Sequence, residues 1–229
     1  MTALTFRLRR SEGATARWEE HALEVPSTTT LLDALTALRA TSAPGLAFRA
    51  ACRHGACGDC AVVVNGTGVL ACVALVGDLA RRSRLVVEPL HHMRVLRDLV
   101  VDRERFFQAV AGARPWLEGA SAPPEREHRV LPDVLARMRG ADACILCGIC
   151  ASACPVVHPH DGFVGPAPFL RTLGRVVDPR DRAARDRLDA ARGLFGVARC
   201  RSALACSAQC PRELDPAAAL VDLKRKRAP

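Results

Sequence analysis

Eleven cysteines in a chain of 229 residues are the side chains most able to do chemistry, and they fall into three groups. The first is "CRHGACGDC" with a later return, spaced Cys52-x4-Cys57-x2-Cys60-x11-Cys72. Three thiolates on one loop and a fourth from a separate strand is the plant-type spacing for a [2Fe–2S] cluster. Gly55 and Gly58 suit such a loop, because glycine accepts positive φ and lets backbone N–H groups point at sulfur. A structural zinc site or buried free thiols are the competing readings. Zinc loops favour two C-x2-C pairs, which this run does not have. His54 and Asp59 lie inside the loop and are able to bind iron; with four thiols in place they are read as neighbours of the ligands or as solvated groups.

The second group, "CILCGICASACP", is Cys144-x2-Cys147-x2-Cys150-x3-Cys154-Pro155, the bacterial ferredoxin run. The third, "CRSALACSAQCP", has the same outline with one thiol missing: Cys200, Cys206 and Cys210 precede Pro211, and Ala203 stands where a cysteine belongs. In two-cluster proteins of this kind the fourth cysteine of a run ligates the other cluster. Cys144, Cys147 and Cys150 are then completed by Cys210, a set of four that fits [4Fe–4S]. Cys154, Cys200 and Cys206 form a set of three, which fits [3Fe–4S], a cube lacking the iron that the missing cysteine would bind. A four-iron site with water or hydroxide on the bare iron is the alternative at Ala203.

These ligands need a scaffold. "LTFRLRR" (4–10) and "RWEEHALEV" (17–25) alternate as two strands of a hairpin. "STTTLLDALTALRA" (27–40) reads as a helix with hydroxyl residues at its start and Leu31, Leu32, Ala34, Leu35 and Leu38 on one face. "CAVVVNGTGVLAC" (60–72) is a hairpin around Asn65-Gly66, and "SRLVVEPL" (83–90) is a further strand. Strand, strand, helix, strands is the order of a β-grasp domain. From about residue 100 the pattern turns helical, over 102–117, 131–140, 180–195 and 215–227, with Asp215-Pro216 as N-cap and first helical residue. Pro115, Pro123 and Pro124 place a loop within 112–127. The fold class is therefore α+β: a β-grasp [2Fe–2S] ferredoxin domain over 1–99, then an all-α, bacterial-ferredoxin-like domain over 100–229.

Thirty-three Lys and Arg against 24 Asp and Glu give a formal charge of +9. Three thiolate-bound clusters at about −2 each would reduce it to about +3. Aromatic residues make up 4% of the chain and do not interleave with the basic ones, so no nucleic-acid partner is expected. The N-terminus has no apolar stretch after Arg9-Arg10, so no secretory or twin-arginine signal is expected. Metal-bound thiols in a reducing compartment are favoured over disulfides. No stretch reaches the ~20 apolar residues of a membrane span. His91, His92, His158 and His160 are read as surface or interface residues, His158 having the best functional case.

The whole order resembles the iron–sulfur subunit of succinate dehydrogenase and fumarate reductase (complex II). "CRHGACGDC", "VLRDLVVDRERFF" (95–107), "CILCGICASACP", "GFVGPAPFLR" (162–171) and "CRSALACSAQCPRELDPAAAL" carry the resemblance along essentially the entire chain. It implies an electron relay between the FAD of a flavoprotein subunit and a membrane quinone, through [2Fe–2S], [4Fe–4S] and [3Fe–4S] clusters. It also implies an integral membrane anchor, with haem b on that anchor left open, and a peripheral position on the cytoplasmic face of the cell membrane. The succinate/fumarate site would lie on the flavoprotein. The family places a quinone pocket beside the [3Fe–4S] site, which points to Pro155, His158, Arg201 and Lys224. Ubiquinone-reducing members usually carry tryptophan in the segment formed here by Pro155 and "VVHP" (156–159) and histidine at the position of Arg201; this chain has neither, and "GFVGPA" and "LDPAAAL" are more similar to menaquinone-type fumarate reductases, so the resemblance implies menaquinone. A free multi-cluster carrier, a zinc-binding interaction protein and a fumarate reductase subunit with another donor are the rivals.

Overall fold

Leu4, Phe6 and Leu8 are buried while Arg7 and Arg9 alternate with them on the other face, the period-two pattern of a strand with one face on a core. The computed structural model describes residues 1–12, 15–80, 83–119, 125–157, 162–163 and 165–225. In chain order its strands are β1 (Thr2–Glu12), β2 (Thr15–Val25), β3 (Ala61–Val64), β4 (Thr67–Leu70), β5 (Arg84–Glu88), β6 (Val95–Arg97) and β7 (Val100–Val101). Its helices are α1 (Leu31–Ala40), α2 (Val76–Leu79), α3 (Glu104–Gly112), α4 (Pro132–Asp142), α5 (Ile149–Ser152), α6 (Pro166–Val176), α7 (Ala184–Arg192), α8 (Ala205–Ala208) and α9 (Pro216–Arg225). The chain divides into two units: Met1–Arg103 with Ile145–Ala153, and Glu104–Cys144 with Cys154–Pro229.

In the first unit a five-stranded sheet runs β2-β1-β5-β3-β4. β1 pairs antiparallel with β2 from Thr2↔Val25 to Glu12↔Thr15, and parallel with β5 from Thr5↔Arg84 to Leu8↔Val87. On the outward face Arg7 and Arg9 stack on the Trp18 ring at 4.6 and 5.3 Å. The helix expected over 27–40 begins only at Leu31, because Thr30 caps it: its hydroxyl accepts the Asp33 N–H at 3.1 Å and donates to the Asp33 carboxylate. The predicted hairpin is present as β3 and β4, with Asn65 at φ 49° and Gly66 at φ 81° in the turn. Asp98, in the β6–β7 turn, is buried and accepts from the Ser11 and Ala47 amides at 2.9 and 2.8 Å, beside the Arg10 guanidinium at 3.1 Å. It fastens the end of β1 to the segment after α1. Cys147 and Ile149 belong to this unit's core, with Ile149 fully buried.

The second unit is helical and centres on α6, where every residue but Arg171 is buried. Sequence patterning did not single it out, although Arg171, Thr172 and Arg175 form a polar stripe along it: Pro166 and Pro168 open it and read as loop. Gly174 lets α4 come close, since an added Cβ would meet the Ala141 Cβ at 2.5 Å. The helix expected over 102–117 ends at Gly112, where Arg114 turns to φ 47° ahead of Pro115. That over 180–195 is confined to Ala184–Arg192. Arg187 is buried against Asp181, at 3.0 Å, and donates to the carbonyls of Ala113, Arg114 and Trp116. It therefore ties the loop after α3 onto α7. Arg192 donates to the Leu223 and Lys224 carbonyls and closes the C-terminal turn of α9.

Candidate iron–sulfur sites

The loop from Cys52 to Cys60 is built on left-handed backbone, with Arg53, Gly55 and Gly58 at φ 61°, 75° and 72°. At Gly58 the need is double, because an added Cβ would also lie 2.7 Å from the Cys147 Cα. The curl turns amides onto sulfur. The Gly55 N–H donates to Cys72 Sγ at 3.2 Å and the Asp59 N–H to Cys57 Sγ at 3.5 Å. The Cys52 thiol is drawn down to about 6, first by the His54 amide and then by the Cys57 thiol, with further help from the Ala56 and Cys57 amides against a smaller effect of burial. Burial pushes the Cys60 thiol up to about 12, and the neighbouring Cys72 and Cys57 sulfurs add to that against the pull of the Cys72 amide. These four thiols thus face one another in two contacting pairs. An outer thiol tuned toward thiolate, an inner pair buried at the open end of the β3–β4 hairpin and N–H groups aimed at sulfur suit a thiolate-bound cluster. The His54 ring turns away, its Nδ1 lying 2.6 Å from the Cys52 carbonyl. The Asp59 carboxylate takes the Arg103 guanidinium.

In the second unit Cys154, Cys200 and Cys206 converge. Burial raises the Cys206 thiol, Ser207 pulls it back, and Cys154 and Cys200 act on it electrostatically. Cys200 ends a 3-10 turn (Val197–Arg199), and the Ser202 N–H donates to its Sγ at 3.4 Å. Ser202 and Leu204 are both left-handed, at φ 54° and 59°, and carry the backbone round to α8, where Cys206 is buried. Ala203 lines the same cavity as the three cysteines, with Pro155 and Arg201 also on its wall. Lys224 Nζ donates to the Cys200 carbonyl at 2.8 Å. Three of the four residues singled out for quinone contact therefore gather at this cavity or at Cys200 on its wall. His158 lies outside the described residues, as does His160.

The remaining thiols divide between the units. Cys147 and Cys150 are buried in the first, Cys150 on α5; Cys144 and Cys210 are half-buried in the second. Gly148 supplies the left-handed turn, at φ 85°, that starts α5. Among the described residues no three His, Cys, Asp or Glu side chains close around a single metal ion, and no helix is long and apolar enough to cross a membrane. Sequence reasoning passed over Arg103, the Ser202 amide and the Lys224–Cys200 contact. The Arg103 and Lys224 pairings join residues 44 and 24 apart and leave no local signal, whereas the Ser202 amide reaches Cys200 two residues away through a left-handed backbone that serine does not announce.

Comparison with known proteins groups the thiols by cysteine run along the chain, the first run in one family match and the second and third in another. Residues 4–108 match the 2Fe-2S iron-sulfur cluster binding domain family and residues 137–211 the 4Fe-4S dicluster domain family. The succinate dehydrogenase iron-sulfur subunit of Coxiella burnetii is 38% identical over 83% of this chain and 80% of its own length. The mitochondrial succinate dehydrogenase [ubiquinone] iron-sulfur subunit 2 of rice (Oryza sativa subsp. japonica) is 39% identical over 85% of this chain, which spans only 63% of that relative's length. Among solved structures, the Mycobacterium smegmatis Sdh1 complex in the apo form contains a chain superposing with TM-score 0.87 at 27% identity, over 97% of this chain and 94% of that one.

Proposed function

The chain belongs to the family of succinate dehydrogenase iron–sulfur subunits, and from that premise we propose that it is the electron-transfer subunit of a succinate:quinone oxidoreductase. Residues 1–99 would carry the [2Fe–2S] site on Cys52, Cys57, Cys60 and Cys72. Residues 100–229 would carry [4Fe–4S] on Cys144, Cys147, Cys150 and Cys210, and [3Fe–4S] on Cys154, Cys200 and Cys206. When bound, these groups supply one-electron storage at stepped potentials. The protein supplies thiolates, amide hydrogens directed at sulfur and a dry setting, and it makes or breaks no substrate bond itself. The partners are a flavoprotein subunit with FAD, where succinate and fumarate would be interconverted, and a membrane anchor that holds the chain at the cytoplasmic face. Quinone would meet the cavity of Pro155, Arg201 and Ala203, near Lys224; the lack of tryptophan in 155–159 and of histidine at Arg201 favours menaquinone.

One observation carries the reading: the three facing thiols Cys154, Cys200 and Cys206 share a cavity with an alanine in the place of a fourth. Low-temperature EPR on the anaerobically purified complex, oxidised and then reduced stepwise, tests it. A signal in the oxidised state that disappears on mild reduction, followed by a [2Fe–2S] signal, with about nine irons per chain, is expected. About ten irons and no oxidised-state signal would place a four-iron cluster at Ala203 instead. Turnover with menaquinone and ubiquinone analogues then decides the acceptor, menaquinone being the faster on this reading.

A further inference from the structure

Asp59 sits between the ligand candidates Cys57 and Cys60, and its two ends do different things. Its amide N–H donates to Cys57 Sγ at 3.5 Å. Its carboxylate is engaged by Arg103, which comes from the end of the same unit, 44 residues along the chain. The Arg103 side chain is only 13% exposed and that of Asp59 26%. Both line a small cavity that reaches Cys60, with Arg49 on the same wall. A charged pair this well covered is screened less than a surface pair.

We propose that Arg103 is a positioning and charge-balancing residue for the two-iron site. It cancels the Asp59 carboxylate beside the ligand loop and fixes the peptide whose N–H reaches Cys57. The inference rests on the reading of Cys52, Cys57, Cys60 and Cys72 as two-iron ligands. One-electron reduction adds a negative charge to such a site. A bare carboxylate next to Cys60 opposes that charge, and a bare guanidinium favours it. The pair together comes close to neutral, so the site's potential depends on the balance between the two.

An EPR-monitored redox titration of the loaded full chain, purified with its native partners, tests this with four proteins. Arg103→Gln is expected to lower the [2Fe–2S] potential and Asp59→Asn to raise it. Each change should be on the order of tenfold in the reduction equilibrium, about 59 mV for a one-electron couple. The double variant should return to within a few-fold of the wild type, and Arg103→Lys should keep most of the wild-type value. Two single variants that shift the same way, or neither shifting, would overturn the proposal, since a loop that merely loses its shape has no reason to respond with opposite signs. If Arg103→Gln fails to load, Asp59→Asn and Arg103→Lys still decide. A wild type with no [2Fe–2S] signal at all removes the underlying reading and the proposal with it; a normal signal with parallel shifts removes only the proposal.

Discussion

Ala203 presents a methyl group where the repeat of the second cysteine run would place a sulfur, on the wall of the cavity shared by Cys154, Cys200 and Cys206. Replacing it with cysteine offers a fourth thiolate on a backbone already shaped by two left-handed residues, Ser202 and Leu204. If the site holds the proposed three-iron cluster, Ala203→Cys is expected to raise the iron content by about one per chain, to abolish that cluster's oxidised-state signal and to lower the site's potential, with slower electron delivery to the proposed quinone. EPR with iron analysis checks it, and a variant that keeps the three-iron signal unchanged would show that position 203 does not face the open corner. The cysteines were readable because ligand spacing on one loop is a local property of the chain. The Asp59–Arg103 pair was not, because its partners are 44 residues apart and arginine is too common here to mark any one position.

At the scale of elements, β1 and α1 were legible because each keeps one face dry and one face wet, whereas β3 is buried throughout and was legible from its β-branched run and the Asn65-Gly66 turn. α6, which organises the helical unit, was hidden by the two prolines of its first turn, Pro166 and Pro168, which read as loop. The turn that follows it carries Asp178, whose side chain is fully buried. Burial by itself would raise this carboxyl, but the Arg180 side chain and amide and the Arg175 charge outweigh it, and the group sits below the usual carboxylate range. Its contribution to stability is therefore complete above the unfolded value of about 3.9 and is lost as pH falls through the lower, folded one. Asp178→Asn leaves Arg175 and Arg180 without that charge and is expected to cost about 3 kcal/mol near neutral pH. Below the folded value both proteins carry a neutral side chain there, so the gap should close. Urea titrations of the two proteins followed by circular dichroism at pH 7 and in acid measure the gap; a difference that stays constant across this range would mean that the carboxylate's charge is not what holds the turn.

At the scale of the whole molecule, a boundary near residue 99 follows the change from alternating to helical pattern along the chain. Nothing in that pattern announces that Ile145–Ala153 folds with the first unit. The reason is packing: Ile149 is fully buried in the core made by Leu70, Ala71 and their neighbours, and Gly58 is a glycine partly because Cys147 passes so close. The cluster-binding run in the middle of the sequence is thus a structural part of the N-terminal unit, which fixes Cys147 and Cys150 against a rigid sheet. Ile149→Ala removes a branched side chain from that core and is expected to cost about 3 kcal/mol. The loss should appear far from the substitution in sequence. Hydrogen exchange of the full chain should quicken in β3 and β4, and a fragment ending at Arg103 should unfold at lower denaturant than the same residues in the full chain. Exchange that quickens only in the helices of the second unit would show that Ile149 stabilises those helices instead, and the N-terminal unit would then be complete without it.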